Sequence, residues 1–166
     1  MSTQHFSQKY TIIQLLEDMP EGTQFSSSDW PLHVTIVDTF AIDWDVPTMT
    51  GKLESLLADH AQAASAAEGE AFFGPDKQTK ATLLEKTESL IALHNNVVEL
   101  LSEGGLRLNN PQFAGEGFVP HATVQKHDRL HEGDRVAFNT LTIIDMFPDN
   151  DPYQRKVLKT IQIGNK

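Results

Sequence analysis

The chain has 166 residues, with 13 Lys plus Arg against 23 Asp plus Glu, seven His and no Cys, so a disulfide framework, thiolate zinc site, iron–sulfur cluster and cysteine nucleophile are excluded. At about 100–200 residues per domain, residues 1–166 are expected to form one domain; MSTQHFSQKY lacks the regions of a signal peptide and no apolar run nears a membrane span, so a cytoplasmic protein is expected. The formal charge of −10, with 4 basic against 12 acidic side chains in residues 1–83 and 9 against 11 in residues 84–166, argues against non-specific binding of long nucleic acids, which needs many Lys and Arg, but leaves open one or two phosphates in a small pocket.

In chain order, KYTIIQLLE (Lys9–Glu17) is apolar and β-rich, and LHVTIVDTF (Leu32–Phe40) alternates with β-branched residues, so both read as strands around the loop PEGTQFSSSDWP. Pro47 and Thr48 open a helix in which Met49, Leu53, Leu56 and Leu57 recur at helical spacing, continuing towards the alanine-rich HAQAASAA. Gly69–Gly74 and Thr79–Lys86 read as strands around the turn Gly74-Pro75-Asp76. A second helix places Leu90, Leu93, Val97, Leu100 and Leu101 on one face and ends at Gly104-Gly105. After an irregular connection, RLNNPQFAGEG, the segments Phe118–Lys126, Val136–Phe147 and Tyr153–Ile163 read as three more strands. The order ββαββαβββ predicts an α+β protein with largely antiparallel sheet.

Two of these strands share a pattern: Trp30-Pro31-Leu32-His33-Val34-Thr35-Ile36 and Phe118-Val119-Pro120-His121-Ala122-Thr123-Val124. Each has an aromatic three residues before His, a Pro within two before it, Thr two after it, and apolar residues at the first and third positions after it. Composition alone predicts about 0.6 bare His-x-Thr matches in such a chain, but only roughly 0.001 matches of the elaborated pattern, so its repetition is a strong signal. In a strand, His33 and Thr35 share one face and Leu32, Val34 and Ile36 the other, and His121 and Thr123 are paired likewise. Two such strands facing one cleft would bring together two imidazoles and two hydroxyls. That set suits in-line attack on a phosphodiester: one neutral imidazole takes a proton from the attacking oxygen, the other, protonated, gives one to the leaving oxygen, and the hydroxyls, with Lys126 nearby, donate to the phosphate. The scheme requires no metal or other cofactor.

The tetrads His33-Val34-Thr35-Ile36 and His121-Ala122-Thr123-Val124, 88 residues apart, resemble the paired signature of the two-histidine (2H) phosphoesterase superfamily, which includes bacterial 2'-5' RNA ligases and cyclic phosphodiesterases. The resemblance implies a bilobal fold of two pseudo-symmetric, mostly antiparallel sheets facing a central cleft, with one tetrad in each lobe and helices outside. It implies that His33 and His121 act as general base and acid in an order left open, and that Thr35 and Thr123 bind phosphate. Lys126, in HATVQK, stands where ligase-like members often carry Arg and can meet phosphate only as a point charge. The expected activity is metal-independent opening of a 2',3'-cyclic phosphate or related RNA-end phosphodiester, with reversible 2'-5' ligation permitted. The expected partner is a small nucleotide or RNA terminus, bound by a monomer. A nucleotide-binding module without turnover and a metal-dependent hydrolase are the alternatives.

Other residues read more plainly. His127 and His131 have a spacing that could chelate metal on a helix, but the charge density of KHDRLHE reads as a solvated loop. His94 is expected to be exposed or capped on the second helix, His60 to lie near the end of the first, and His5 in the N-terminal segment. Trp30 and Phe118 could stack on a base or pack in the core. Ser26–Ser28 reads as a polar loop, and Lys126 has the strand parity opposite to His121.

Overall fold

A computed structural model describes residues 8–73 and 77–164, so His5 and the turn at 74–76 lie outside the described residues. The elements are β1 (Tyr10–Leu15), β2 (Gln24–Ser26), β3 (His33–Ala41), α1 (Val46–Ala58), β4 (Ala63–Phe73), β5 (Thr79–Leu84), α2 (Glu88–Ser102), β6 (Arg107–Leu108), β7 (His121–Thr123), β8 (Arg135–Phe138), β9 (Thr140–Asp145) and β10 (Gln154–Gln162). They form an α+β fold of two antiparallel sheets, one of order β2-β10-β9-β1-β3-β6 and one of order β7-β5-β4-β8. The first tetrad lies on β3 of the larger sheet and the second on β7, an edge strand of the smaller.

Both helices begin as their sequences direct. The Asp45 side chain accepts from the Thr48 N–H, with Pro47 in the first turn, and the Thr87 hydroxyl accepts from the Leu90 N–H, with Glu88 at the positive end of the helix dipole. The apolar stripes Met49, Leu53 and Leu57 of α1 and Leu90, Leu93, Val97 and Leu101 of α2 are buried in the main core with Ile36, Phe40, Phe138 and Ile143.

Several elements differ from their sequence reading, among them the two-residue β6, which pairs with β3 inside the connection RLNNPQFAGEG. The alanine-rich segment after His60 is not a continuation of α1: Ala63 and Ala67 enter the core, and residues 63–66 pair with Phe138–Arg135 of β8. Cross-strand pairing and burial there override alanine's helix propensity. Within PEGTQFSSSDWP, Gln24–Ser26 form a short edge strand against β10. The segment Val136–Phe147 is two strands that belong to different sheets, β8 pairing with β4 and β9 with β1 and β10. The crossing point is fixed by Gln14, 4% exposed, whose Oε1 accepts from both the Asn139 and Thr140 N–H groups. Phe118–Lys126 contributes only the three ladder residues of β7, because Pro120 has no N–H to donate; its carbonyl instead accepts from Leu84.

The register of β3 positions the site. Against β1, Thr35 pairs with Ile13, Val37 with Ile12 and Phe40 with Tyr10, so β3 carries extra residues at 36 and again between 37 and 40. Such bulges break the two-residue alternation and leave carbonyls without ladder partners. Side chains capture those carbonyls: Thr11 Oγ1 donates to Val37 O at 2.8 Å and His94 Nδ1 donates to Ile36 O at 2.7 Å.

Candidate active site

The two tetrad histidines are held in the same way. His33 Nδ1 lies 2.8 Å from the carbonyl oxygen of Pro31, and His121 Nδ1 lies 2.7 Å from that of Val119, two residues earlier in both cases. A carbonyl can only accept, so in each ring Nδ1 carries the proton and donates it, leaving Nε2 as the basic nitrogen of the neutral imidazole. Each ring also packs against an aromatic. Trp30 lies 4.8 Å from His33, with the Arg155 guanidinium 5.8 Å from the Trp30 ring, and Phe73 stacks on His121 at 4.4 Å. Trp30 is therefore a wall behind the first imidazole. The tetrads' apolar residues Leu32, Val34, Ile36 and Ala122 are buried, as strand alternation requires, whereas His33, Thr35, His121 and Thr123 are partly exposed.

The electrostatics distinguish the two rings. Burial pushes the His33 imidazole below its usual range, helped by the charge of nearby His121 and opposed by the Pro31 carbonyl and Glu17. Glu17, just past β1, accepts from the Leu32 N–H at 2.6 Å and pairs with His127 Nε2 at 2.6 Å. Although burial opposes it, the Leu32 N–H and His127 hold the Glu17 carboxyl below its usual range, and Glu17 in turn raises His127. Glu17 thus ties the residue preceding His33 to the segment that follows the second tetrad.

A cleft of about 530 Å³ opens beside these strands, lined by Thr35 and His121 of the tetrads, by Ile36 and by six further residues outside the tetrads. Among those six, Phe118 is 5% exposed with one face stacked on His94 at 4.0 Å, so it forms floor rather than a free platform. Asp38, Phe73, Asn110 and Phe113 also line it and escaped sequence reasoning. Strict alternation puts Asp38 on the face opposite His33 and Thr35; the bulge at residue 36 returns it to the cleft. Asn110 and Phe113 come from the irregular connection, where Asn110 Nδ2 donates to Asp38 Oδ2 at 3.0 Å.

His94, expected to be exposed or capped on the helix, is 2% exposed. Its Nδ1 donates to Ile36 O, and its Nε2 accepts from the Gly115 N–H at 3.1 Å, so burial holds it neutral and pushes its pKa down. It lies on the apolar stripe of α2 between Leu90 and Val97, which is the signal that could have revealed it. His127 and His131 do not converge: one pairs with Glu17, and the backbone N–H of the other donates to Asp134 at 2.8 Å. Among the described residues no group of three His, Asp or Glu side chains is placed to hold a metal ion. Lys126 is exposed three residues beyond β7 and is not among the residues lining the cleft.

A model of the 2'-5' RNA ligase superfamily matches residues 12–141, a span that contains both tetrads. The chain belongs to that superfamily. No curated protein matches it. Among solved structures, TT0787 of Thermus thermophilus is 14% identical with a TM-score of 0.59, covering 95% of this chain and 100% of that one. A structure described as a phosphoesterase is 14% identical with a TM-score of 0.57, over 95% and 99% of the two chains. Escherichia coli LigT complexed with 3'-AMP is 14% identical with a TM-score of 0.51, again over 95% and 99%. At such identities the likeness speaks for the fold. The superfamily's function is of the 2H phosphoesterase or 2'-5' RNA ligase kind. No helix among the described residues is long and apolar enough to cross a membrane.

Proposed function

We propose that the protein opens 2',3'-cyclic phosphates of nucleotides or RNA ends without a metal ion, using His33 as general base and His121 as general acid. The observation that carries this reading is the shared anchoring of the two imidazoles, Nδ1–H on a carbonyl and Nε2 basic, on strands that each place a Thr beside the His. Burial pushes His33 below its usual range, which favours its bare Nε2 as the base and assigns the role of acid to His121. His33 Nε2 takes a proton from water as the water oxygen bonds to phosphorus. The P–O3' bond breaks, and His121 Nε2–H protonates O3', leaving a 2'-phosphate. A 5'-hydroxyl in place of water gives a 2'-5' linkage by the same step. Thr35 and Thr123 donate to the non-bridging oxygens, and Lys126, outside the cleft lining, acts on the phosphate only as a longer-range positive charge. LigT's complex with 3'-AMP is consistent with a ligand of mononucleotide size.

The test is turnover of 2',3'-cyclic nucleotides in the presence of chelator by wild type, His33→Ala and His121→Ala, with folding followed by circular dichroism. Each variant is expected to lose about 10²–10⁴-fold in kcat while remaining folded. Wild-type rates in both folded variants would refute the mechanism, and loss of wild-type activity on chelation would favour a metal-dependent reaction.

A further inference from the structure

The cleft holds a group that phosphate chemistry does not explain. Asp38 lines it together with Thr35 and His121, and a carboxylate beside the path of an anionic phosphodiester is unfavourable unless it meets hydrogen-bond donors of the substrate. In a 2',3'-cyclic phosphate both vicinal ribose oxygens are esterified, so the donors left are those of the base and, in a mononucleotide, the 5'-hydroxyl, which is the same in all four and cannot discriminate among them. The rest of the lining suits a base: Phe73, Phe113, Phe118 and Val119 are apolar, and Phe113 is 43% exposed.

Which base follows from the donor count. An ionised carboxylate only accepts, and Asn110 Nδ2 gives one of its two N–H groups to Asp38 Oδ2, which fixes the orientation in which the carboxylate faces the cleft. Guanine presents two donors side by side, N1–H and the N2 amino group, and can meet a carboxylate through both. Adenine and cytosine each place a ring-nitrogen acceptor beside their amino group, and uracil has one N–H flanked by two carbonyls. All three would set an acceptor against the carboxylate or satisfy it once.

Resting on the phosphodiesterase reading above, we propose that Asp38, oriented by Asn110, selects guanine among the bases of 2',3'-cyclic phosphate substrates, with Phe113 as the surface on which the base stacks. A two-point contact to a carboxylate is worth about a 5–150-fold preference, by analogy with bidentate base readout elsewhere.

The test measures kcat/KM on the four 2',3'-cyclic mononucleotides. In parallel, calorimetry measures the binding of guanosine and adenosine 2'-monophosphates, which needs no turnover. Wild type is expected to favour guanine over adenine at least about tenfold in both assays. Asp38→Asn, which exchanges one acceptor for a donor, is expected to bring the ratio within about twofold. Asn110→Ala, which frees the carboxylate, lowers the same ratio and serves if Asp38→Asn does not fold. Phe113→Ala weakens all four bases alike. Equal affinity for the two purine nucleotides in wild type, a preference for another base, or an unchanged ratio in folded Asp38→Asn would overturn the inference. If no cyclic nucleotide is turned over, the phosphodiesterase reading fails, and the calorimetric ratio still decides whether Asp38 reads guanine.

Discussion

Replacing His94 with Phe tests how β3 and the cleft loop are held together. The substitution keeps a ring against Phe118 but removes the donor to the Ile36 carbonyl and the acceptor for the Gly115 N–H. Ile36 is fully buried and sits at a bulge, so its carbonyl has no ladder bond to fall back on; leaving such a group unpaired costs about 1–3 kcal/mol. Gly115 lies on an exposed loop where water can replace the imidazole, which puts its contribution near the lower end of that range. Together the two losses come to about 2–4 kcal/mol. For a chain of this size that lowers the melting temperature by roughly 4–16 °C. Urea unfolding of wild type and His94→Phe measures the difference. His94→Asn, whose amide can still donate near the position of Nδ1, should recover about half of it. A loss below about 0.5 kcal/mol, the size of an ordinary surface substitution, would show that neither hydrogen bond matters to the fold.

Two further outcomes are expected. Stability should fall as pH falls from 7.5 to 5.5. His33 and His94 both have folded pKa values pushed below the ordinary imidazole value of about 6.5, so their contribution is present above that value and is lost as pH drops through the lower folded one. His127 is raised and works in the opposite sense, its contribution fading as pH rises, but it is an exposed, screened pair against two inward-facing rings. A urea midpoint that rises on acidification would contradict this sign. Glu17→Ala should destabilise by about 1–3 kcal/mol and lower kcat, because it strips the acceptor from the Leu32 N–H beside His33, whereas Glu17→Gln keeps an acceptor there and should retain most of both; equal losses in unfolding and kinetic assays would assign the effect to the charge instead.

The parts of the molecule that follow a regular period were legible in the sequence. The tetrads are read by the two-residue alternation of a strand, α2 by its leucine stripe and Thr87 cap, and α1 by Asp45 and Pro47. What stayed hidden lies where a tertiary partner overrides the local rule. Ala63–Ala67 is helical by propensity and a strand by pairing with β8, and Val136–Phe147 is one apolar run divided between two sheets by Gln14, a residue 125 positions away from its partner Asn139. Asp38 illustrates the limit most clearly: one bulge reverses its face, and no composition or spacing within residues 33–41 announces that bulge. Asp38, Phe73, Asn110 and Phe113, which line the cleft, come from β3, β4 and the loop after β6, segments joined only by the fold.

The proposed chemistry depends on a tension between symmetry and asymmetry. Identical Nδ1–H to carbonyl bonds give both imidazoles the same tautomer, so either Nε2 can take a proton when bare and give one when charged. With two equivalent rings the proton would have no preferred place, and half of the singly protonated molecules would begin with base and acid exchanged. The burial that pushes His33 down removes that degeneracy, since it favours the bare nitrogen on β3 beside Thr35 as the base of the proposed scheme. After one turnover of that scheme the proton sits on His33, where burial disfavours the charge, so its release to solvent is downhill. Ligation starts from the same state as hydrolysis, because the 5'-hydroxyl only replaces water as the nucleophile. Trp30 is the wall that shuts solvent from the His33 ring, so Trp30→Ala, by wetting that ring, should let its pKa climb back towards the ordinary value. The acidic limb of kcat/KM for cyclic-nucleotide hydrolysis, which reports protonation of the base in the free enzyme, should then move to higher pH. An acidic limb that stays in place in folded Trp30→Ala, or moves to lower pH, would show that burial of His33 does not decide where the proton rests.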